Sequence, residues 1–238
     1  MLLTKETLYI CGDSFCSSDP DYGNNWTEML AKKLPNTTVV NLSIPGASNY
    51  LIYLQVKHAL KNQCDYLIYN ATGSTRQEFV LNLNDSQTDN INRYHNVLAP
   101  GARKELLCMS WVNPFNPKLH NNIFTTACVD KIKNFFMRYV DMPSTIEKNY
   151  IFIQQTLSMI DSAKNVKGWA WSQGGFEHKN FKPAQDWNFS KYKEKENCIN
   201  LWDYYDSSIA RPYYHITDKK ILQSVCDQYL NMLNLNTI

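Results

Sequence analysis

A chain of 238 residues with 44% hydrophobic and 19% charged residues is long enough to close one hydrophobic core, and its composition excludes a disordered or fibrous protein. A net charge of +2 gives no field strong enough to gather nucleic acid or an acidic membrane surface. Seven cysteines, an odd number with no C-x-x-C pair, argue against a disulfide framework and a zinc site and point to a reducing compartment.

The first third alternates strand and helix signals. Residues 7–11 form a short apolar run that ends in Gly12-Asp13-Ser14, the pattern of a strand followed by a turn. Residues 24–34 carry Trp26, Met29, Leu30 and Leu34 at helical spacing and stop at Pro35. Residues 37–42 are β-branched and apolar, a second strand, and Pro45-Gly46 marks the next turn. Residues 48–62 repeat Leu51, Leu54, Val56, Ala59 and Leu60 in a helical pattern, with Ser48 as the cap. Residues 64–69 read as a third strand.

The middle is less regular. Residues 76–126 are rich in Asn and Pro and read as an insertion or lid, within which 106–112 is either a strand or a buried helical turn. Residues 128–139 and 144–163 read as helices, the second opened by a capping box in which Ser144 caps and Glu147 reaches back. A fourth strand is expected over 166–171, with Trp169 and Trp171 on one side of it as core packing. A long polar and aromatic loop follows over 173–197. A short fifth strand is expected at 199–202, and Thr217 or Asp218 caps a last helix to about residue 233, with Ile221, Leu222, Val225, Tyr229 and Leu233 on one face. Strands alternating with helices imply βαβ units and a doubly wound parallel sheet of about five strands, flavodoxin-like, with helices on both faces, in one domain covering 1–238.

In such a sheet, ligands collect at the carboxyl ends of the strands. Three small polar segments fall there: Gly12-Asp13-Ser14-Phe15, Ile44-Pro45-Gly46-Ala47-Ser48-Asn49, and Asn70-Ala71-Thr72-Gly73-Ser74. A turn entering a helix aims backbone N–H donors at developing negative charge. A serine hydroxyl needs a base to become a nucleophile. His215, in the loop ahead of the last helix, is the histidine best placed to meet Ser14. Asp13 reads as the residue that fixes the turn. Cys16 reads as a buried residue and not a thiol nucleophile. Arg76 either binds an anionic group or closes a surface pair.

The run Ile10-Cys11-Gly12-Asp13-Ser14-Phe15 resembles the first block of the SGNH/GDSL hydrolases, whose serine is the nucleophile. The run Asn41-Leu42-Ser43-Ile44-Pro45-Gly46-Ala47-Ser48-Asn49 is similar to their second block, with Gly46 at the place of an oxyanion-hole N–H. His215-Ile216-Thr217 ahead of a helix is similar to their last block and its catalytic histidine. The resemblance implies the SGNH-hydrolase fold and a serine esterase or acetylesterase that works through an acyl-enzyme, with no metal or organic cofactor. It implies an oxyanion hole from the N–H groups of Ser14 and Gly46 and one side chain of the third segment. The chain departs from the family pattern in two places. At the third block, where Gly-x-Asn-Asp is usual, Asn70 and Thr72 take the glycine and asparagine positions. Either the Thr72 hydroxyl donates, or Asn70 or Asn49 reaches in, or the hole has one donor fewer. Three residues before the histidine, where Asp is usual, stands Pro212. The imidazole is then oriented by Asp203, Asp206, Asp218 or a backbone carbonyl, and a Ser-His dyad or an atypical triad results.

A small-molecule or carbohydrate ester is the expected substrate, with no nucleic-acid or membrane partner. The oligomeric state is unknown. The amino-terminal residues lack a signal-peptide core, so a cytoplasmic location is expected. The run from Asn70 to Phe79 also resembles a variant of the third block in phage-encoded members, which hints at a virus-encoded protein. The rival reading is a catalytically weak or inactive SGNH-like protein that binds a ligand or serves as a virion component.

Overall fold

Alternate residues of the central strands face opposite ways, and both sets are apolar, so the sheet must be covered on both sides. The computed structural model describes residues 5–17, 26–44, 46–74, 76–80, 106–110, 134–135, 138–173, 198–200 and 218–235. Its main sheet has five parallel strands: β1 (Glu6–Cys11), β2 (Thr37–Asn41), β3 (Tyr66–Ala71), β6 (Gly168–Gln173) and β7 (Cys198–Asn200). They lie in the order β2-β1-β3-β6-β7, the flavodoxin-like doubly wound order that the alternation implies.

Helices α1 (Trp26–Lys33) and α4 (Lys219–Met232) cover one face. There Leu8, Ile10, Ile68 and Ala170 meet Trp26, Leu30, Leu222, Val225 and Tyr229. The rings of Trp26 and Tyr229 stack with centroids 4.6 Å apart, a contact worth about 0.5–1.5 kcal/mol beyond its buried area. Helices α2 (Asn49–Lys61) and α3 (Met142–Asp161) cover the other face. There Tyr9, Cys11, Leu67, Tyr69 and Trp171 meet Leu51, Ile52, Val56, Ile146, Tyr150 and Ile153. Trp169 packs against this same core, so the two tryptophans share a side as their spacing predicts. Among the described residues no helix is long and apolar enough to cross a membrane.

Several boundaries differ from the sequence reading. β3 begins at Tyr66 and runs two residues beyond Tyr69, so Asn70 and Ala71 are strand and not turn. Their pairing with Ser172 and Gln173 of β6 holds them there, and β6 likewise ends at Gln173. α3 starts at Met142, not Ser144. Asp141 is its cap, accepting from the Ser144 N–H at 3.1 Å, and Ser144 also hydrogen-bonds that carboxylate through its hydroxyl. Pro143 sits in the first turn, where its fixed φ suits a helix and its missing N–H costs nothing, so the helix begins ahead of the expected cap. Asp218, one of the two expected caps of α4, accepts from the N–H groups of Lys220 and Ile221 at 2.8 and 3.1 Å. The irregular middle contains a separate antiparallel pair, β4 (Arg76–Val80) with β5 (Leu106–Ser110), so the segment left open between strand and helical turn is a strand. The short fifth strand lies at Cys198–Asn200, ahead of 199–202. Of the expected 128–139 helix, the described positions 134, 135, 138 and 139 are helical.

Candidate functional site

The strand order reverses direction between β1 and β3. The chain leaves β1 for β2 on one side, then crosses back through α2 to enter β3 on the other. The carboxyl ends of β1 and β3 therefore open onto a crevice, the place where doubly wound sheets bind ligands. Ser14 stands at the mouth of that crevice and is partly exposed.

The turn that carries Ser14 is held from five sides. Gly12 donates its N–H to the Gln55 side chain at 2.8 Å, and the same amide donates back to the Gly12 carbonyl at 3.3 Å. A Cβ at Gly12 would come within 2.9 Å of the Asn70 Cβ and 3.0 Å of the Cys16 Sγ, so only glycine fits between β1 and β3 here. The N–H groups of Cys16 and Ser17 donate to the Asp13 carbonyl at 3.1 and 3.0 Å, which winds the residues after Ser14 into one helical turn. The Trp26 indole donates to the Phe15 carbonyl at 2.9 Å, and the Asn41 amide donates to the Cys16 carbonyl at 2.7 Å. The Phe15 N–H donates to Asp13 Oδ1 at 3.0 Å, the turn-fixing role expected of Asp13.

Asp13 does more than cap its own turn. It is fully buried and is the centre of a polar network. Its Oδ1 also accepts from the Asn70 amide at 3.0 Å, and its Oδ2 accepts from the Thr72 hydroxyl at 2.5 Å. Arg76 Nη1 lies 3.0 Å from Oδ2 and donates to the Ala47 carbonyl at 2.7 Å. Asn70 Oδ1 in turn accepts from the Ser172 hydroxyl at 2.5 Å. Asn49 ties in the second segment: its amide donates to the Thr72 carbonyl at 3.0 Å and to Asn149 Oδ1 at 3.1 Å, and its Oδ1 accepts from the Thr72 N–H at 3.0 Å. Asn149 Nδ2 reaches the carbonyls of Arg76 and Thr145 at 3.0 and 2.9 Å. Buried polar groups are costly unless paired, and this cluster gives each of these side chains at least one side-chain partner.

The expected site residues thus divide. Ser14, Gly46, Asn49, Asn70 and Thr72 come together at the ends of β1, β2 and β3, with Gly46 at φ +81°, a left-handed turn that suits glycine. The side chains of Asn49, Asn70 and Thr72 all spend donors inside the network, whereas the Ser14 hydroxyl, among the described residues, is left out of it. Arg76, expected on an anionic group or in a surface pair, pairs with the carboxylate of the buried Asp13. His215, Asp203 and Asp206 lie outside the described residues, as do Pro45, Thr217 and the whole 174–197 segment. Cys16 is buried, and burial first, then the Asp13 charge, pushes its thiol well up, which makes it a poor nucleophile. Among the described residues no group of three or more His, Cys, Asp or Glu side chains is arranged to hold a metal ion.

No family model and no curated protein sequence matches this chain. Two of the similar solved structures are esterases. One is the psychrotrophic esterase EstA from Pseudoalteromonas sp., in a structure inhibited by monoethylphosphonate. It shares 12% identity over 96% of this chain and 97% of that chain, with a TM-score of 0.46. The other is the acetyl xylan esterase Est2A from the rumen bacterium Butyrivibrio proteoclasticus, at 15% identity over 98% of this chain and 66% of that one, with a TM-score of 0.44. These likenesses are distant, and the chemistry below rests on this chain's own residues.

Gln55, which holds the Gly12 backbone, and Asn149 and Ser172, which belong to the network, escaped the sequence reading. A signal for two of them was present. Gln55 interrupts the buried α2 stripe of Leu51, Ile52, Val56 and Ala59, and Asn149 interrupts the α3 stripe of Ile146, Tyr150 and Ile153. A polar residue inside an apolar helical stripe has to find a buried partner.

Proposed function

We propose that the protein is a serine ester hydrolase of the SGNH/GDSL type, with Ser14 as nucleophile and His215 as general base. In this reading the Ser14 hydroxyl attacks the ester carbonyl as its proton passes to His215. The tetrahedral intermediate collapses, the alcohol leaves with that proton, and an acyl-enzyme remains. Water, deprotonated by the same histidine, then releases the acid. The N–H groups of Ser14 and Gly46 face the oxyanion, and Asp203 or Asp206 orients the imidazole. An O-acetylated carbohydrate or a short-chain ester is the substrate class. The observation that carries the reading is the contrast at the switch point: every polar neighbour of Ser14 named above is locked in a buried network, and the partly exposed serine is not.

Purified protein should hydrolyse p-nitrophenyl acetate with a burst, and a fluorophosphonate should label Ser14. Ser14→Ala should abolish both; unchanged turnover in that variant rejects the reading. A non-catalytic, ligand-binding member is the second reading, favoured by the inward turn of Asn49, Asn70 and Thr72, which leaves none of these donors facing a carbonyl. A wild-type protein that takes up no fluorophosphonate between pH 6 and pH 9 supports that reading instead.

A further inference from the structure

β1 ends at Cys11, but its backbone hydrogen bonds run further. The N–H groups of Leu42 and Ile44 donate to the carbonyls of Ile10 and Gly12 at 2.8 and 3.2 Å, so the seam on the β2 side extends to Gly12. Past that point each segment closes into a turn. The Cys16 N–H donates to the Asp13 carbonyl at 3.1 Å and closes a turn that contains Ser14. The Ala47 N–H donates to the Ile44 carbonyl at 3.0 Å and closes a turn that contains Gly46. These two turns carry the N–H groups assigned to the oxyanion in the esterase reading. The hydrogen bond from Ile44 to Gly12 joins their bases.

Gly12 has no side chain with which to anchor that joint. Gln55 of α2 anchors it from the core. Its Oε1 accepts from the Gly12 N–H at 2.8 Å, and its Nε2 donates at 3.3 Å to the Gly12 carbonyl, the same carbonyl that receives Ile44. One side chain thus grips both backbone groups of a residue 43 positions away. Gln55 is fully buried and sits in the stripe of Leu51, Ile52, Val56 and Ala59. An amide in such a stripe is costly to bury unless it is hydrogen-bonded, so its value there lies in the bonds it makes.

We propose that Gln55 is a positioning residue: its two-point hold on Gly12 sets the spacing between the Ser14 and Gly46 N–H groups, and so their fit to the oxyanion. The proposal rests on the ester-hydrolase reading, and Gln55 acts through the main chain without touching the substrate. Donors fixed in advance stabilise the developing charge without reorganising at the moment of reaction. A misplacement of about 1 Å caused by a residue remote from the chemistry can cost ~10²-fold in rate.

Gln55→Met tests it. Methionine has a similar length and suits an apolar stripe, but it offers Gly12 no donor and only a weak acceptor. Each protein is titrated with a fluorophosphonate, so that rates refer to working sites and not to the folded fraction. Each is then assayed on p-nitrophenyl acetate and on its thionoester, in which the weakly accepting C=S replaces C=O. The expected result is a fall of ~10- to 100-fold in kcat on the oxoester, with KM little changed and a much smaller fall on the thionoester. Gln55→Glu, which keeps an acceptor for the Gly12 N–H, should regain part of the oxoester rate. An equal loss on both esters, or no loss on either, overturns the role of Gln55 and leaves the esterase intact. If Gln55→Met does not fold, Gln55→Glu is compared with wild type on the same two esters and read in the same way. A wild-type protein that turns over neither ester and takes up no fluorophosphonate overturns the esterase reading itself, and the proposal with it.

Discussion

Asp13→Asn isolates the charge at the centre of the network, because the two side chains have nearly the same shape and no cavity is made. Asp13 is fully buried and accepts from Phe15, Asn70 and Thr72 while pairing with Arg76. An amide offers one acceptor oxygen and one NH2. With the oxygen kept toward Phe15 and Asn70, the Thr72 hydroxyl can turn to accept, but Arg76 loses its counter-charge. Breaking a buried pair from one side costs about 3–5 kcal/mol, and the partial exposure of Arg76 places this case at the lower end. With the amide flipped, the donors of Phe15 and Asn70 meet another donor, at about 1–3 kcal/mol each. Either arrangement gives a loss of about 3 kcal/mol. At a urea m-value of about 3 kcal/mol/M, the top of the usual range and suited to a chain of this length, the midpoint should fall by about 1 M. The buried Trp26 and Trp171 make intrinsic fluorescence the natural probe. A midpoint within about 0.3 M of wild type at the same m-value, equivalent to less than about 1 kcal/mol, would refute the view that this carboxylate organises the site.

Gly12→Ala should destabilise by about 1–3 kcal/mol through overpacking, because the new methyl would meet the Asn70 Cβ at 2.9 Å. Calorimetry should show the fall in Tm, and an unchanged Tm would mean that β1 and β3 part without cost. Cys11 and Cys16 should resist Ellman's reagent at pH 8 in the folded protein and react fully in urea, since burial raises both thiols well above the ordinary range; rapid labelling of either in native protein contradicts the packing. At the opposite end of the sheet, burial tends to raise the Asp65 carboxyl, but the Thr7 N–H and Lys167 outweigh it and hold the group below its usual value. Stability from that carboxylate is present above its unfolded value of about 3.9 and is lost as pH falls through the folded one. Asp65→Asn should therefore lower the urea midpoint slightly at pH 7, by no more than an exposed pair's worth, and the gap to wild type should close near pH 2; an equal gap at both pH values rules the linkage out.

The elements were legible in the sequence because they are local. Period-2 and period-3.6 apolar patterns mark β1, α1, β2, α2 and α4, and Ser48 announces the start of α2, accepting from the Leu51 N–H at 3.3 Å. The three small polar segments that gather at the crevice were legible for the same reason: each directly follows an apolar strand. The boundaries that slipped, at β3, β6 and α3, were set by strand pairing and by a proline-led first turn, which the apolar pattern does not record.

What only the tertiary structure decided is who faces whom. Asp13 finds Asn70, Thr72 and Arg76 because β1 and β3 pair in the register that sets Cys11 beside Tyr69, so their ends meet across 57 and 59 residues of chain. Hydrogen-bond partners at that separation follow from strand order and register. Those depend on how both faces of the sheet are covered at once, and no local pattern encodes it. The sequence by itself could nominate Asn49, Asn70 and Thr72 as donors to a substrate, since residue type states what a side chain can do. The packed sheet turned those donors inward, Asn70 and Thr72 to the buried Asp13 carboxylate and Asn49 to Thr72 and Asn149, and paired Arg76 with the same carboxylate.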